Sequence, residues 1–162
     1  MSSSISYLDK IDKNIISIIQ NNPEITYTEI ADKVGRSQPA IGKRIKKLEN
    51  KGILSYQAGL SIKNSDFMYI LLKIRTSNPE RILRIAKKCP YMPVAFKITG
   101  KNNINIIVYG PDLKFLNKLI NRHFKGDKKV NSIKFDVILD INENIVLPID
   151  FSFQKCEYIN DI

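Results

Sequence analysis

Apolar positions recur at helical spacing three times within the first fifty residues. Isoleucines three or four positions apart predict a first helix over residues 8–20. A capping-box pair, Thr26 with Glu29 three residues later, predicts where a second helix begins. A third apolar stripe follows Ser37, which is the predicted N-cap of the third helix. Three short helices joined by tight turns predict a helix-turn-helix domain over residues 8–52.

Beyond residue 52 the pattern changes from helical spacing to a mixture of strands and helices. Residues 53–66 alternate loosely and then turn polar, which predicts a strand or an extended connector. Residues 67–141 follow the order strand, helix, strand, strand, helix, strand, with predicted elements at 67–75, 79–88, 94–99, 104–109, 112–124 and 130–141. This βαββαβ order is that of the ferredoxin-like split βαβ fold, in which two helices cover one face of a four-stranded antiparallel sheet. The predicted fold class is therefore α+β, and the uncovered sheet face is expected to pair with a second copy.

Two terminal segments fall outside these elements. Residues 1–7 are short and Ser-rich and are predicted to be disordered, whereas residues 142–162 are predicted to be a tail that packs on the sheet or on a neighbouring subunit. The N-terminus lacks the basic start and apolar core of a signal peptide, and no run approaches the roughly 18 apolar residues of a membrane span. We therefore expect a cytoplasmic, nucleoid-associated protein without a membrane partner.

The basic charge of the chain is concentrated in the third helix. A formal net charge of +10 favours a polyanionic partner, either nucleic acid or an acidic membrane surface. Residues 36–51 alone hold six cations and one anion, a net charge of +5. Within a helix-turn-helix, this concentration predicts double-stranded DNA as the partner, because cations contact phosphates while polar side chains at the start of the helix reach base edges. The alternative is an ordinary solvated cationic face.

Seven residues are the candidates for DNA contact: Arg36, Ser37, Gln38, Lys43, Arg44, Lys46 and Lys47. Gln38 is the predicted base reader, because its amide can both donate to and accept from adenine. Lys43 is expected to reach a guanine or a phosphate, and the two later lysines only phosphates. Arg44 lies at the edge of the buried stripe, so two interpretations stay open: a phosphate contact, or an ion pair with Glu49 or with a carboxylate of the first helix.

The helix-turn-helix residues also carry a family resemblance. The pattern consists of Leu8-Asp9-x-x-Asp12-x-x-Ile15-Ile16, Glu29-Ile30-Ala31-x-x-Val34-Gly35 and Ser37-x-x-x-Ile41-x-x-Arg44-Ile45-x-x-Leu48-Glu49-x-x-Gly52-Ile53. It resembles the Lrp/AsnC (feast/famine) transcriptional regulators of bacteria and archaea. The resemblance implies that residues 67–141 form that family's effector and oligomerisation (RAM) domain. It also implies dimers that associate through the RAM sheet, with tetramers or octamers built from them.

The resemblance further implies that a small metabolite binds near the loop formed by Gly100, Lys101, Asn102 and Asn103. The family usually has Gly-x-Tyr-Asp at this point, so the carboxylate that could receive an amino acid's ammonium group is here the amide of Asn103. A neutral or anionic ligand is therefore expected in place of an ordinary amino acid. The alternative is that these residues form only a hairpin turn.

Few residues of this sequence are candidates for a catalytic role. The single histidine, His123, lies late in a helix next to Arg122 and is expected to be solvated. Cys89 and Cys156 lie far apart and are expected to be free thiols. No phosphate-binding loop or metal-ligand spacing is visible, so we expect no enzyme activity, no catalytic residue, no metal and no cofactor.

Two other functions stay open at this stage. Siroheme decarboxylases are built from a similar helix-turn-helix and RAM-like chain, so an enzyme of that kind is one alternative. An architectural protein that coats DNA without an effector is the other. It is supported by the 16 cations and 10 anions from Asn64 onward, a net charge of +6 outside the predicted reading helix.

Overall fold

The structure is a computed structural model that describes residues 8–142 and 145–149. The chain divides into two units, residues up to 56 and residues from 57 on, and this boundary lies inside the predicted connector. The predictions for residues 1–7 and for most of the tail lie outside the described residues. No helix within the described ranges combines the length and the apolar character needed to cross a membrane.

Three helices form the first unit: α1 (Lys10–Asn21), α2 (Tyr27–Val34) and α3 (Gln38–Asn50). The predicted capping box is confirmed, because the Thr26 hydroxyl accepts from the Glu29 N–H while the Glu29 carboxylate accepts from the Thr26 N–H. The chain then leaves α2 through Gly35, whose φ of 65° is in the left-handed region that glycine tolerates. The apolar stripes of the helices meet in one core whose least exposed members are Ile15, Ile30, Ile41 and Ile45.

The second unit contains six strands and two helices in its described part. In chain order they are β1 (Leu60–Ser61), β2 (Met68–Thr76), α4 (Pro79–Lys88), β3 (Val94–Lys97), β4 (Ile104–Gly110), α5 (Leu113–Phe124), β5 (Val130–Ile138) and β6 (Val146–Leu147). The main sheet has the order β3-β4-β2-β5, and all of its neighbouring strands are antiparallel. The predicted α+β class and ferredoxin-like order are therefore confirmed.

The two faces of this sheet differ in composition. Residues paired across antiparallel strands share a face, so Ile70, Leu72 and Ile74 of β2 lie beside Ile106 of β4 in the buried core with α4 and α5. The opposite face, which we call the open face, carries the intervening residues. They are a mixture of half-buried, exposed and a few buried side chains: Tyr69, Leu71, Lys73, Arg75, Val94, Phe96, Asn105, Ile107, Tyr109, Ser132, Lys134, Asp136 and Ile138.

The connector contains one short strand. Of residues 53–62, only Leu60 and Ser61 form a strand, and their partner is β6, which lies inside the segment predicted to be a tail. Gly59 packs against the backbone of Leu147 so closely that a Cβ would collide with it. The final strand of the main sheet, β5, ends at Ile138 and not at the predicted 141. A two-residue strand has no periodicity of its own, which is why the sequence did not indicate β6.

Candidate nucleic-acid interface

The third helix buries one side and exposes the other. Ile41, Ile45 and Leu48 pack into the core of the first unit. Six of the seven predicted contact residues are exposed on the turn before α3 and on its outer side, namely Arg36, Ser37, Gln38, Lys43, Lys46 and Lys47. The first unit therefore presents a cationic outer surface on α3, which we call the α3 surface.

Ser37 occupies the predicted N-cap position with extended backbone angles, but its side chain makes no capping hydrogen bond. The predicted N-cap residue is therefore confirmed, although its hydroxyl does not cap the helix. The first turn is instead closed through the backbone, because the Ser37 carbonyl accepts from the N–H groups of Ala40 and Ile41. Pro39 fixes the helical φ in this turn. The Ser37 hydroxyl is consequently exposed at the same end of α3 as the Gln38 amide.

Arg44 lies half-buried between α3 and the start of α1. Its guanidinium donates to the Asp9 carboxylate at 2.6 Å and to the Asp12 carboxylate at 2.7 Å, and the Asp12 side chain is 9% exposed. The ion-pair interpretation is therefore confirmed, with carboxylates of the first helix and not Glu49 as partners. The Asp12 backbone N–H, and after it Arg44, lowers the pKa of Asp9 below its ordinary value. Arg44 thus holds α3 on α1. The phosphate contact, the other interpretation of Arg44, stays a prediction.

The sequence did not indicate that Tyr27, the first residue of α2, lies against α3. Its ring lies beside Gly42 on α3, where an added Cβ would be 3.6 and 3.7 Å from two ring carbons. About a third of Tyr27 stays exposed at the edge of the α3 surface. The only signal in the sequence was an aromatic residue at a helix N-terminus, and this pattern does not reveal a contact with another helix.

The predicted effector loop is the hairpin connection between β3 and β4. The Ile98 N–H donates to the Asn103 carbonyl across it. The Asn103 side chain makes two further bonds to β2, because its oxygen accepts from the Thr76 N–H at 3.0 Å and its amide nitrogen donates to the Thr76 carbonyl at 2.8 Å. Of the other loop residues, Gly100 and Lys101 are exposed and Asn102 is half-buried. The Asn103 amide therefore fixes the hairpin to β2.

His123 is buried, so the expectation that it is solvated is wrong. It is 8% exposed on the inner side of α5. Burial, and after it the charge of Arg122, lowers the pKa of His123 to about 4, which keeps the imidazole neutral near pH 7. The signal was present in the sequence, because position 123 continues the helical stripe formed by Leu116, Leu119 and Ile120. Cys89 is also buried, whereas Cys156 lies outside the described residues.

Comparison with known proteins identifies the first unit as a DNA-binding domain. Residues 8–55 match the family model described as winged helix-turn-helix DNA-binding. The range begins before α1 and ends just after α3, so it contains the α3 surface and the Arg44 ion pairs. The class of this protein is therefore a helix-turn-helix DNA-binding protein.

Full-length relatives extend the likeness to the second unit. The HTH-type transcriptional regulator LysM of Saccharolobus solfataricus is 30% identical over 130 residues, which cover 77% of this chain and 91% of LysM. The regulator LrpA of Pyrococcus horikoshii is 27% identical over 82% of this chain and 97% of its own. Among solved structures, Escherichia coli AsnC has a TM-score of 0.74 at 20% identity and covers 84% of this chain and 95% of its own. The chain belongs to the Lrp/AsnC family and is a DNA-binding transcriptional regulator.

Proposed function

We propose that the protein binds double-stranded DNA sequence-specifically by placing α3 in the major groove. The observation that carries this proposal is the division of α3 into a buried apolar side and an exposed cationic side. In this arrangement Gln38 reads a base edge, Ser37 and Lys43 contact a base or a phosphate, and the remaining exposed cations neutralise phosphates. Those cations are Arg36, Lys46 and Lys47.

The phosphate contacts are tested by measuring the salt dependence of binding to an operator and to random duplex. Lys46→Ala and Lys47→Ala should each weaken both DNAs equally and reduce the salt slope by about one unit, because one fewer counterion is released. Lys13→Ala removes an exposed cation from α1 and should leave the slope unchanged. An unchanged slope in both α3 variants would remove these lysines from the interface.

Base reading is tested separately with Gln38→Ala. A bidentate contact to adenine is worth about 1 to 3 kcal/mol of discrimination, so the variant should bind the operator less tightly while binding random DNA as before. Equal losses on the two DNAs would refute a reading role for Gln38. Lys46→Ala is the matched control, since it should show that equal loss.

We infer that the second unit assembles the protein into a symmetric dimer through the open face. Support comes from the apolar side chains that this face leaves partly accessible, among them Leu71, Ile107 and Phe96, the last of which is 40% exposed. The proposed division of labour is DNA recognition by residues 8–52 and assembly by residues 67–141. Larger assemblies of such dimers, tetramers or octamers, follow the family expectation.

We also infer that a neutral or anionic metabolite binds beside the hairpin of Gly100, Lys101 and Asn102. The solved complex of the regulator NMB0573 of Neisseria meningitidis with L-Met supports ligand binding in this fold. That regulator is 24% identical, with a TM-score of 0.72 over 87% of this chain and 96% of its own. Asn103 supports the loop, and the exposed Lys101 supplies a positive charge for the ligand.

The effector proposal is tested by calorimetric titration with the twenty amino acids and with 2-oxo acids. We expect a 2-oxo acid to bind and Lys101→Gln to weaken it, while Lys128→Gln, an exposed cation outside the hairpin, leaves it unchanged. Tight binding of an ordinary amino acid with its ammonium group would contradict the inference, as would binding that is insensitive to Lys101→Gln.

One other function is favoured by a specific observation. The net charge of +6 from Asn64 onward favours an architectural protein that coats DNA. Selection of bound fragments from genomic DNA separates the two functions. An enriched, imperfectly palindromic sequence supports the sequence-specific regulator, whereas steep salt dependence without any enriched sequence supports the architectural protein. We infer no catalytic activity, since the relatives bear the names of transcriptional regulators.

A further inference from the structure

A groove of about 1060 Å³ lies between α4 and α5 of the second unit. Its apolar lining includes Ile85, Ala86 and Met92, which are half-buried or buried. Its polar lining is dominated by six cations: Arg81, Arg84, Lys87, Lys88, Arg122 and Lys125. None of these residues belongs to the 98–103 hairpin, so we name this site separately as the α4/α5 groove.

At least three of the six cations of the α4/α5 groove have no carboxylate partner among the described residues. Asp127 is the one carboxylate in its lining, and it forms an ion pair with Arg81. Within residues 8–142 and 145–149, no carboxylate lies within ion-pair distance of Arg84, Lys88 or Lys125. Like charges gathered around a concave surface repel one another and raise the local concentration of anions. The groove therefore concentrates positive potential over an apolar floor.

Helix dipoles explain only some of these cations. Lys87 and Lys88 lie in the last turn of α4, where a cation is favoured by the partial negative charge of the helix C-terminus. Arg81 is the third residue of the same helix and Arg84 lies in its middle, where the dipole offers no such stabilisation. His123 lines the same groove, and burial, and after it the charge of Arg122, lowers the pKa of its imidazole. Arg84 is therefore a cation that neither the helix dipole nor an ion pair within residues 8–142 and 145–149 accounts for.

We propose that the α4/α5 groove binds a small polyanion that carries two or more phosphate or carboxylate groups. The cations of the rim pair with the anionic groups, and the apolar part of the ligand lies on the floor near Met92. A small molecule fits better than a DNA backbone, because the site is concave, is apolar at its base and has a volume typical of a ligand pocket. This second ligand site goes beyond the proposed DNA and hairpin functions and does not depend on either.

The test is calorimetric titration of the full chain with tripolyphosphate and with citrate. The groove variant is Arg84→Gln with Lys88→Gln, and the control is Lys114→Gln with Lys118→Gln, two exposed cations of α5 outside the groove. Both variants lose the same charge from the surface. We expect the groove variant to weaken binding by about tenfold or more, because two charge-assisted hydrogen bonds are lost, and the control to leave it unchanged.

The imidazole of His123 gives a second readout that is local to the groove. The chain has one histidine, so a single pair of ring signals in ¹H–¹⁵N spectra reports on this site. Tripolyphosphate or citrate should shift these signals in the natural chain and in the control, and the groove variant should need about tenfold more of either probe for the same shift. The amide spectrum of each variant shows whether the fold is retained.

Three results would overturn the proposal. They are no binding of either probe at millimolar concentration, equal loss in the groove and control variants, and binding without a shift of the His123 signals. If random duplex DNA shifts these signals and the small probes do not, the groove contacts a DNA backbone and the small-ligand proposal is wrong. None of these outcomes alters the test of α3, because the substitutions lie outside the first unit.

Discussion

Arg44 joins two carboxylates of α1 to the DNA-binding helix, and one of them, Asp12, is buried. Arg44→Gln should lower the free energy of unfolding of the first unit by about 1 to 2 kcal/mol, because it leaves the Asp12 carboxylate without its charged donor. Chemical denaturation followed by circular dichroism measures this change. Operator affinity should fall only as far as the folded fraction falls.

A double substitution separates the ion pair from the loss of packing. Asp12→Asn removes the buried charge, so Arg44→Gln should cost less in that background than in the natural chain. Additive effects of the two substitutions would show that Arg44 and Asp12 do not stabilise each other. A loss of operator affinity in Arg44→Gln beyond the loss of folded protein would support the phosphate contact of Arg44.

His123 should make the second unit sensitive to mild acid. Its pKa is lowered from an ordinary value near 6.5 to about 4, so the unfolded chain binds the proton more tightly than the folded chain. The stability contributed by the neutral imidazole is fully present above pH 6.5 and is lost as the pH falls toward 4. Between pH 7 and pH 5 this linkage should remove about 2 kcal/mol from the free energy of unfolding.

The matched variant for this prediction is His123→Asn, which keeps a polar side chain but has no proton to gain in this range. We expect its free energy of unfolding, measured in denaturant at each pH, to change less between pH 7 and pH 5 than that of the natural chain. Identical pH profiles for the two proteins would mean that His123 does not titrate with a lowered pKa.

At the scale of single elements, substitution by alanine at two glycines should have opposite effects on the free energy of unfolding. Gly35 follows α2, and Gly42 lies within α3. Gly42→Ala in α3 should raise the free energy of unfolding by about 0.5 to 1 kcal/mol, because the added methyl meets only the Tyr27 ring at van der Waals distance and alanine favours the helix. Gly35→Ala should lower it by about 1 to 2 kcal/mol, because φ there is 65°.

Thermal unfolding of these two variants checks both signs together. Since the added methyl of Gly42→Ala points at Tyr27, operator affinity should stay the same. A weaker operator complex with a more stable fold would show that α3 needs glycine for close approach to DNA. Stabilisation by Gly35→Ala would contradict the left-handed conformation at that position.

The bounds of a helix were predictable from the sequence where its capping residue and its apolar stripe indicated the same start. Helix α4 matches its predicted range of 79–88. Helix α5 differs from its predicted range of 112–124 only in that Asp112 is its capping residue. The burial of His123 follows from the same apolar stripe of α5. The helical spacing of apolar residues thus predicts which side chains are buried as well as where a helix forms.

Features made by side chains far apart in the sequence were predictable only in part. The ion pair of Arg44 with Asp12 spans 32 positions, and the sequence indicated a carboxylate of the first helix only as one of several partners. The bond between Asn103 and Thr76, which joins residues 27 positions apart, was not indicated. The α4/α5 groove needs two helices to be placed side by side before its cations form one site. The exposure of the outer residues of α3 was predictable, since the spacing within a single helix determines which of its residues face solvent.

At the scale of the whole molecule, a symmetric dimer would present two copies of α3 to one face of DNA. We predict half-sites separated by about one helical turn, 10 to 10.5 base pairs, or by a multiple of it. Light scattering at micromolar concentration measures the assembly, and insertion of five base pairs between the half-sites tests the spacing.

Two variants locate the dimer interface. Ile107→Glu places a charge on the open face and should yield monomers that bind one half-site weakly, because burying that carboxylate would be costly. Lys114→Glu, on the exposed side of α5, should leave the dimer intact. A natural chain that is monomeric, or an insertion of five base pairs without effect on affinity, would contradict the symmetric arrangement.

The pairing of β1 with β6 also constrains when the chain can complete its fold during synthesis. Leu60 pairs with Leu147, so a ribosome must add some 87 further residues before this short sheet can form. The first unit is already out of the exit tunnel and free to fold by then, since its contacts lie within residues up to 56. A nascent chain can thus form α3 early, whereas the connector pairs with β6 only after those further residues have been added.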